Sequence, residues 1–168
     1  MSNLFSELGL DEDELEYALR KAKGVIIGYA MEYRAVKLLR QMGFKDIKLV
    51  TSPTHDIEAV KDGKKCYIEV KASKYSPTKH YTAWKIAMIA LLDGEHYTLI
   101  MKNGEYKLVR TRSILSKPKQ QLFDYLLEIK NNGYKQKTVQ EQYKEVVEWF
   151  KQQLTIRKLQ ASKLQKYP

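Results

Sequence analysis

Asp56-Ile57-Glu58-Ala59-Val60-Lys61-Asp62-Gly63-Lys64-Lys65-Cys66-Tyr67-Ile68-Glu69-Val70-Lys71 is the stretch whose reading decides the fold. Two strand-forming runs flank Asp62-Gly63, a dipeptide suited to the two-residue hairpin turn because both positions tolerate positive φ. Such a turn sets Lys61 opposite Lys64. Counting outward, Ala59 faces Cys66, Ile57 faces Ile68 and Asp56 faces Glu69. Strand side chains alternate, so Ile57, Ala59, Cys66, Ile68 and Val70 share an apolar face while Asp56, Glu69 and Lys71 share the other. Directly opposed residues bring their Cβ atoms to about 4.5–5.5 Å, where two carboxylates repel. A divalent cation relieves that repulsion, and oxygen ligands suit Mg²⁺ or Mn²⁺. A solvated surface strand would also accommodate Glu69-Val70-Lys71; the register with Asp56 favours a site.

Upstream, residues 11–23 read as a short helix with an acidic first turn and a basic last one, as the helix dipole prefers. Gly24 is expected to end it, and Val25–Met42 to form a second, amphipathic helix that stops at Gly43. At 100° per residue, Val25, Gly28, Tyr29, Ala35, Val36 and Leu39 lie within about 60° of Glu32. Glu32 thus occupies the middle of an apolar face, where an unpartnered carboxylate costs several kcal/mol or takes up a proton. A metal or its water would partner it; so would a buried lysine.

Strands are expected at Asp46–Thr51, Asp56–Lys61 and Lys65–Ala72, with a Ser-Pro-Thr-His turn between the first two. A helix over Lys79–Leu92 follows, then a hairpin of His96–Met101 and Glu105–Arg110 around Asn103-Gly104. This order predicts an α/β fold with an αβββαβ core and a mixed central sheet. Residues 1–116 form that domain in this reading, and residues 117–168 a basic helical extension packed on it or projecting from it. The extension reads as a helix over Pro118–Asn131 and a second one opened by the Thr138-Val-Gln-Glu141 capping box. Its stripe of Val139, Tyr143, Val146, Val147, Phe150 and Leu154 would serve a dimer seam or packing on the parent domain.

Bulk properties narrow the class. The 168 residues carry a net charge of +10, unevenly spread. Residues 1–58 hold 8 basic and 10 acidic side chains, whereas residues 59–116 and 117–168 each hold 11 and 5. Two-thirds of the chain is therefore basic, as a nucleic-acid partner requires and as a lysine-rich solvated surface also shows. Cys66 is the only cysteine, which excludes an internal disulfide and a cysteine-rich zinc site. No apolar run approaches a membrane span, and no secretory signal is evident, so a cytoplasmic location is expected.

The motifs, in this order, resemble the PD-(D/E)XK nuclease superfamily: a helix glutamate in Gly28-Tyr-Ala-Met-Glu32, then Gly43-Phe44, His55-Asp56-Ile57 and Glu69-Val70-Lys71. The similarity covers roughly residues 24–112 and lies nearest archaeal Holliday-junction resolvases and restriction-type relatives. The family's usual proline before the aspartate is His55 here, and its frequent arginine after the helix glutamate is Tyr33. The resemblance implies a restriction-endonuclease-like fold with Asp56, Glu69 and the Val70 carbonyl binding the metal. Glu32 would hold a second metal or its water, and Lys71 would position the nucleophile. The activity the resemblance implies is Mg²⁺- or Mn²⁺-dependent endonucleolytic hydrolysis of DNA by a homodimer, with selectivity for Holliday junctions or other branched DNA as one form of it. A non-cleaving nucleic-acid-binding module and a restriction-type duplex endonuclease are the alternatives. Lys74, Lys79 and Lys85 are candidate backbone contacts, His80 and Tyr81 candidate base-stacking residues, and His55 a candidate neighbour that tunes the site.

Overall fold

In the computed structural model, Asp62 and Gly63 both take positive φ, +51° and +73°. The hairpin pairs Ile57 with Ile68, Ala59 with Cys66 and Lys61 with Lys64, the register expected from the turn. The structure describes residues 8–72, 77–102, 104–133 and 144–164. Around the hairpin run α1 (Glu12–Gln41), β1 (Lys45–Leu49), β2 (Ile57–Lys61), β3 (Lys64–Lys71), a 3₁₀ turn (Pro77–His80) and α2 (Ala83–Ala90). Then come β4 (Glu95–Lys102), β5 (Glu105–Arg110), a second 3₁₀ turn (Thr111–Ile114), α3 (Lys117–Asn132) and α4 (Lys144–Leu164).

The five strands lie in chain order. β3 and β4 are parallel and the other neighbours antiparallel, so the sheet is mixed. Parallel neighbours need a long crossover, and the segment holding α2 supplies it. The expected α/β order αβββαβ is therefore present among the described residues.

The expected break at Gly24 is absent: α1 runs unbroken for 30 residues. An isolated glycine costs a helix only about 1 kcal/mol relative to alanine, and the strong helix formers Leu19–Lys23 before Gly24 and Ala30–Glu32 beyond it carry the helix through. The helix is started by Asp11, which forms a reciprocal capping box with Glu14. It ends before Gly43, at φ +85°.

The last turns of α1 pack on one sheet face. Ala35 and Leu39 join Ile57, Ala59, Cys66, Ile68, Val70, Leu99 and Met101 in one core. Tyr81, Ile86 and Ile89, from the segment around α2, form a second core with Leu122 of α3 and Val146 of α4. The stripe of the second tail helix is thus used within the chain from Val146 to Phe150; the capping box at 138–141, Val139 and Tyr143 lie outside the described residues. No helix among the described residues is long and apolar enough to cross a membrane.

Candidate active site

Asp56 stands one residue before β2, and its backbone is fixed from both sides. Its carbonyl accepts the Val50 N–H at 3.0 Å, and its N–H donates to the Ile68 carbonyl at 3.0 Å. The regular ladder ends at Ile57–Ile68, so Asp56 does not sit in simple opposition to Glu69 as the extrapolated register has it. Instead its Oδ2 accepts the Val70 N–H at 2.7 Å, which aims the carboxylate at the end of β3.

Glu69 is buried, with 3% of its surface exposed. Both of its oxygens are engaged: Oε1 with the Lys71 ammonium, and Oε2 with the Lys85 ammonium at 2.6 Å. A buried carboxylate persists only when paired, and two lysines satisfy that here. Lys85, expected as a DNA-backbone contact, is here ion-paired with Glu69. Thr82 caps α2, its hydroxyl accepting the Lys85 N–H at 3.2 Å, so Lys85 lies in the first turn and its side chain reaches back to the sheet.

Glu32 approaches from α1. Its pKa is raised by burial first, then by the neighbouring charges of Asp56 and Glu69, while Lys71 opposes. Asp56 is raised by burial, with Glu69 adding to the effect and the Val70 N–H opposing it. The sequence thus brings Glu32, Asp56, Glu69 and Lys71 into one electrostatic neighbourhood, with Lys85 as a fifth member. The apolar face that was expected to surround Glu32 is covered only in its second half. Ala35 and Leu39 are buried, but Val25 and Tyr29 are exposed, so Glu32 is only partly buried.

The other expected residues fall elsewhere. Lys79 and His80 are exposed on the 3₁₀ turn, and Lys74 lies outside the described residues. Tyr81 is fully buried with its hydroxyl 2.5 Å from Thr98 Oγ1, which removes it from any base-stacking role. His55 is buried between Thr54 Oγ1 at 2.8 Å and Glu58 at 3.3 Å, its ring 4.7 Å from that of Tyr67.

Sequence reading missed a buried polar chain behind the site. His96 Nε2 donates to the Thr54 carbonyl at 2.8 Å, because a carbonyl can only accept. Its Nδ1 must then accept, from the Thr111 hydroxyl at 2.6 Å. Thr111 Oγ1 lies 2.9 Å from Thr98 Oγ1, and the Tyr81 phenol completes the chain. Burial lowers the His96 pKa to about 4, which keeps the ring neutral. The alternation His96-x-Thr98 on an otherwise apolar strand is the signal that could have found it.

Oxygen donors from Asp56, Glu69, Glu32 and the Val70 carbonyl suit a hard divalent cation in kind. Three carboxylates meet two ammoniums, and relief of that surplus is what a cation offers. Among the described residues, however, no three His, Cys, Asp or Glu side chains are gathered so that they could hold a metal ion together. Glu69 is paired with its two lysines, and one Asp56 oxygen accepts the Val70 N–H. The donors are suitable in chemistry, and Asp56 and Glu69 are the pair best placed to supply them. In comparisons with known proteins, no family model, curated protein or solved structure matches the chain.

Proposed function

We propose that this chain is a metal-dependent endodeoxyribonuclease with a restriction-endonuclease-like fold, acting inside the cell on DNA. One observation carries the reading: Glu69 is buried at the end of β3 between two lysines, with the Asp56 carboxylate fixed beside it. Asp56 and Glu69, with the Val70 carbonyl, would hold Mg²⁺ or Mn²⁺, and Glu32 would hold a second ion or a water. When bound, the ion supplies Lewis-acid stabilisation of charge on the phosphate.

The chain's own residues do the rest. Lys71 and Lys85 place two positive charges where a phosphate's negative charge must be stabilised. Glu32, with a pKa above its ordinary value, is suited to accept a proton from an attacking water. The Val70 N–H holds one Asp56 oxygen, and the other would be the one to meet the ion. The basic two-thirds of the sequence would gather the polyanion.

The test is a cleavage panel of branched, single-stranded and duplex DNA with Mg²⁺, Mn²⁺ or chelator. Metal-dependent cleavage by the wild type, lost in Glu69→Gln with unchanged circular dichroism, is the expected outcome. Cleavage that survives Glu69→Gln overturns the assignment. A second reading, a non-cleaving DNA-binding module, is favoured by one observation: Glu69 is already satisfied by its two lysines. Salt-sensitive DNA binding with no cleavage of any substrate would select it.

A further inference from the structure

Seven of the thirteen large apolar side chains that stand exposed among the described residues belong to α1. Four of the seven, Leu19, Ile26, Tyr29 and Tyr33, fall on one line with the half-buried Leu15 and Ala22. Together these six follow one another at alternating steps of four and three, the heptad spacing of a helix–helix seam, while Tyr17, Val25 and Ile27 lie off it. Tyr29 is 66% and Tyr33 63% exposed. On the helical wheel this seam lies nearly opposite the Met31, Ala35, Leu38 and Leu39 face that meets the sheet. The seam therefore points away from the domain. From Leu15 to Tyr33 it spans 19 residues, a little under three heptads, and it ends where Val36 turns to the sheet core.

Charge identifies what covers it. The seam is bounded by Glu12 and Glu16 at its start and by Lys37 and Arg40 at its end. A parallel copy would set Glu12 on Glu12 and Arg40 on Arg40. An antiparallel copy, with its two-fold axis near Ile26, sets Glu12 toward Arg40 and Glu16 toward Lys37, each pair occurring twice. The helix thus carries its own electrostatic complement, reversed end for end.

We infer that two copies of the chain pair through antiparallel α1 helices along the Leu15–Tyr33 seam. The two sheets then lie on the outer sides of the helix pair, and the tail helix is left out because its stripe from Val146 to Phe150 already packs within the chain. This inference stands independently of the nuclease reading.

Sedimentation equilibrium of the full chain tests it. The wild type should be a dimer at micromolar concentration, and Ile26→Glu a monomer with the same circular dichroism. Glu16→Lys and Lys37→Glu should each weaken the dimer about fivefold to tenfold at low salt, and the double variant should restore it, since flanking charges set helix orientation. Orientation is read by oxidation. Cys66 is buried, so an added cysteine is the reactive one. Ile26→Cys should cross-link to its own copy and Glu12→Cys should not. A monomeric wild type, a dimer unaffected by Ile26→Glu, or cross-linking of both cysteine variants would overturn the proposal.

Discussion

At the scale of single residues, Lys85 is the position where the structure most alters the chemistry expected of the site. Its ammonium is 2.6 Å from Glu69 and only 17% exposed, so it is half of the compensation for a buried charge. Lys85→Met keeps much of the side-chain volume and removes that compensation. Cleavage should fall roughly 10- to 100-fold, in kcat, as electrostatic groups at a reacting centre act. A lysine that merely touched the DNA backbone would instead raise KM and shift the salt slope by about one. Single-turnover rates at saturating DNA separate the two. Asp56 makes a different point. Its raised pKa means that the folded state disfavours the charged form, so stability is gained as pH falls through the folded value. Asp56→Asn should therefore abolish metal-dependent cleavage while raising Tm at neutral pH; a lower Tm would contradict that.

At the scale of elements, the chain from Thr54 through His96, Thr111 and Thr98 to Tyr81 ties the β1–β2 loop to β4 and the start of α2. Those are the segments that deliver Asp56 and Lys85. His96 titrates near 4 when folded, against an ordinary 6.5. The unfolded chain binds the proton first, so stability is lost as pH falls from about 6.5 toward 4, by roughly 3 kcal/mol across the window. Denaturation curves at pH 7 and pH 4.5 should show this difference in the wild type and not in His96→Asn; equal slopes would show that the network is not what titrates. The same elements explain what sequence could tell. The hairpin was legible because its turn chemistry and alternation are local to sixteen residues, and Asp56, Glu69 and Lys71 came with it. Lys85 was not, because the contact crosses from β3 to α2 and the sequence carries only Thr82 as a cap. Periodicity disclosed an apolar stripe on α1 but not which part the sheet would cover. Gly24 misled because one glycine weakens a helix without ending it.

At the scale of the molecule, the tail decides whether α2 holds its place. Leu122 and Val146 are buried against Tyr81, Ile86 and Ile89, with Trp149 and Phe150 packed beside them. Asp124 of α3 takes a bidentate pair of bonds from Arg112, both 2.6 Å, anchoring the tail to the turn after β5. The tail therefore buttresses the α2 segment, whose first turn carries Lys85, and its basic charge is an addition to that task. Val146→Ala should cost about 1–3 kcal/mol, the usual range for shaving a buried aliphatic side chain. Removing residues 144–168 would uncover the second core and should lower both Tm and the cleavage rate. Neutralising exposed Lys144 and Lys151 instead should leave Tm and the saturated cleavage rate unchanged and reduce only the salt dependence of DNA binding. If the truncated chain melts and cleaves like the full one, the tail does not hold α2. Should the lysine variants lose cleavage at saturation, its charges reach the reacting centre and the division between buttress and electrostatic guide fails.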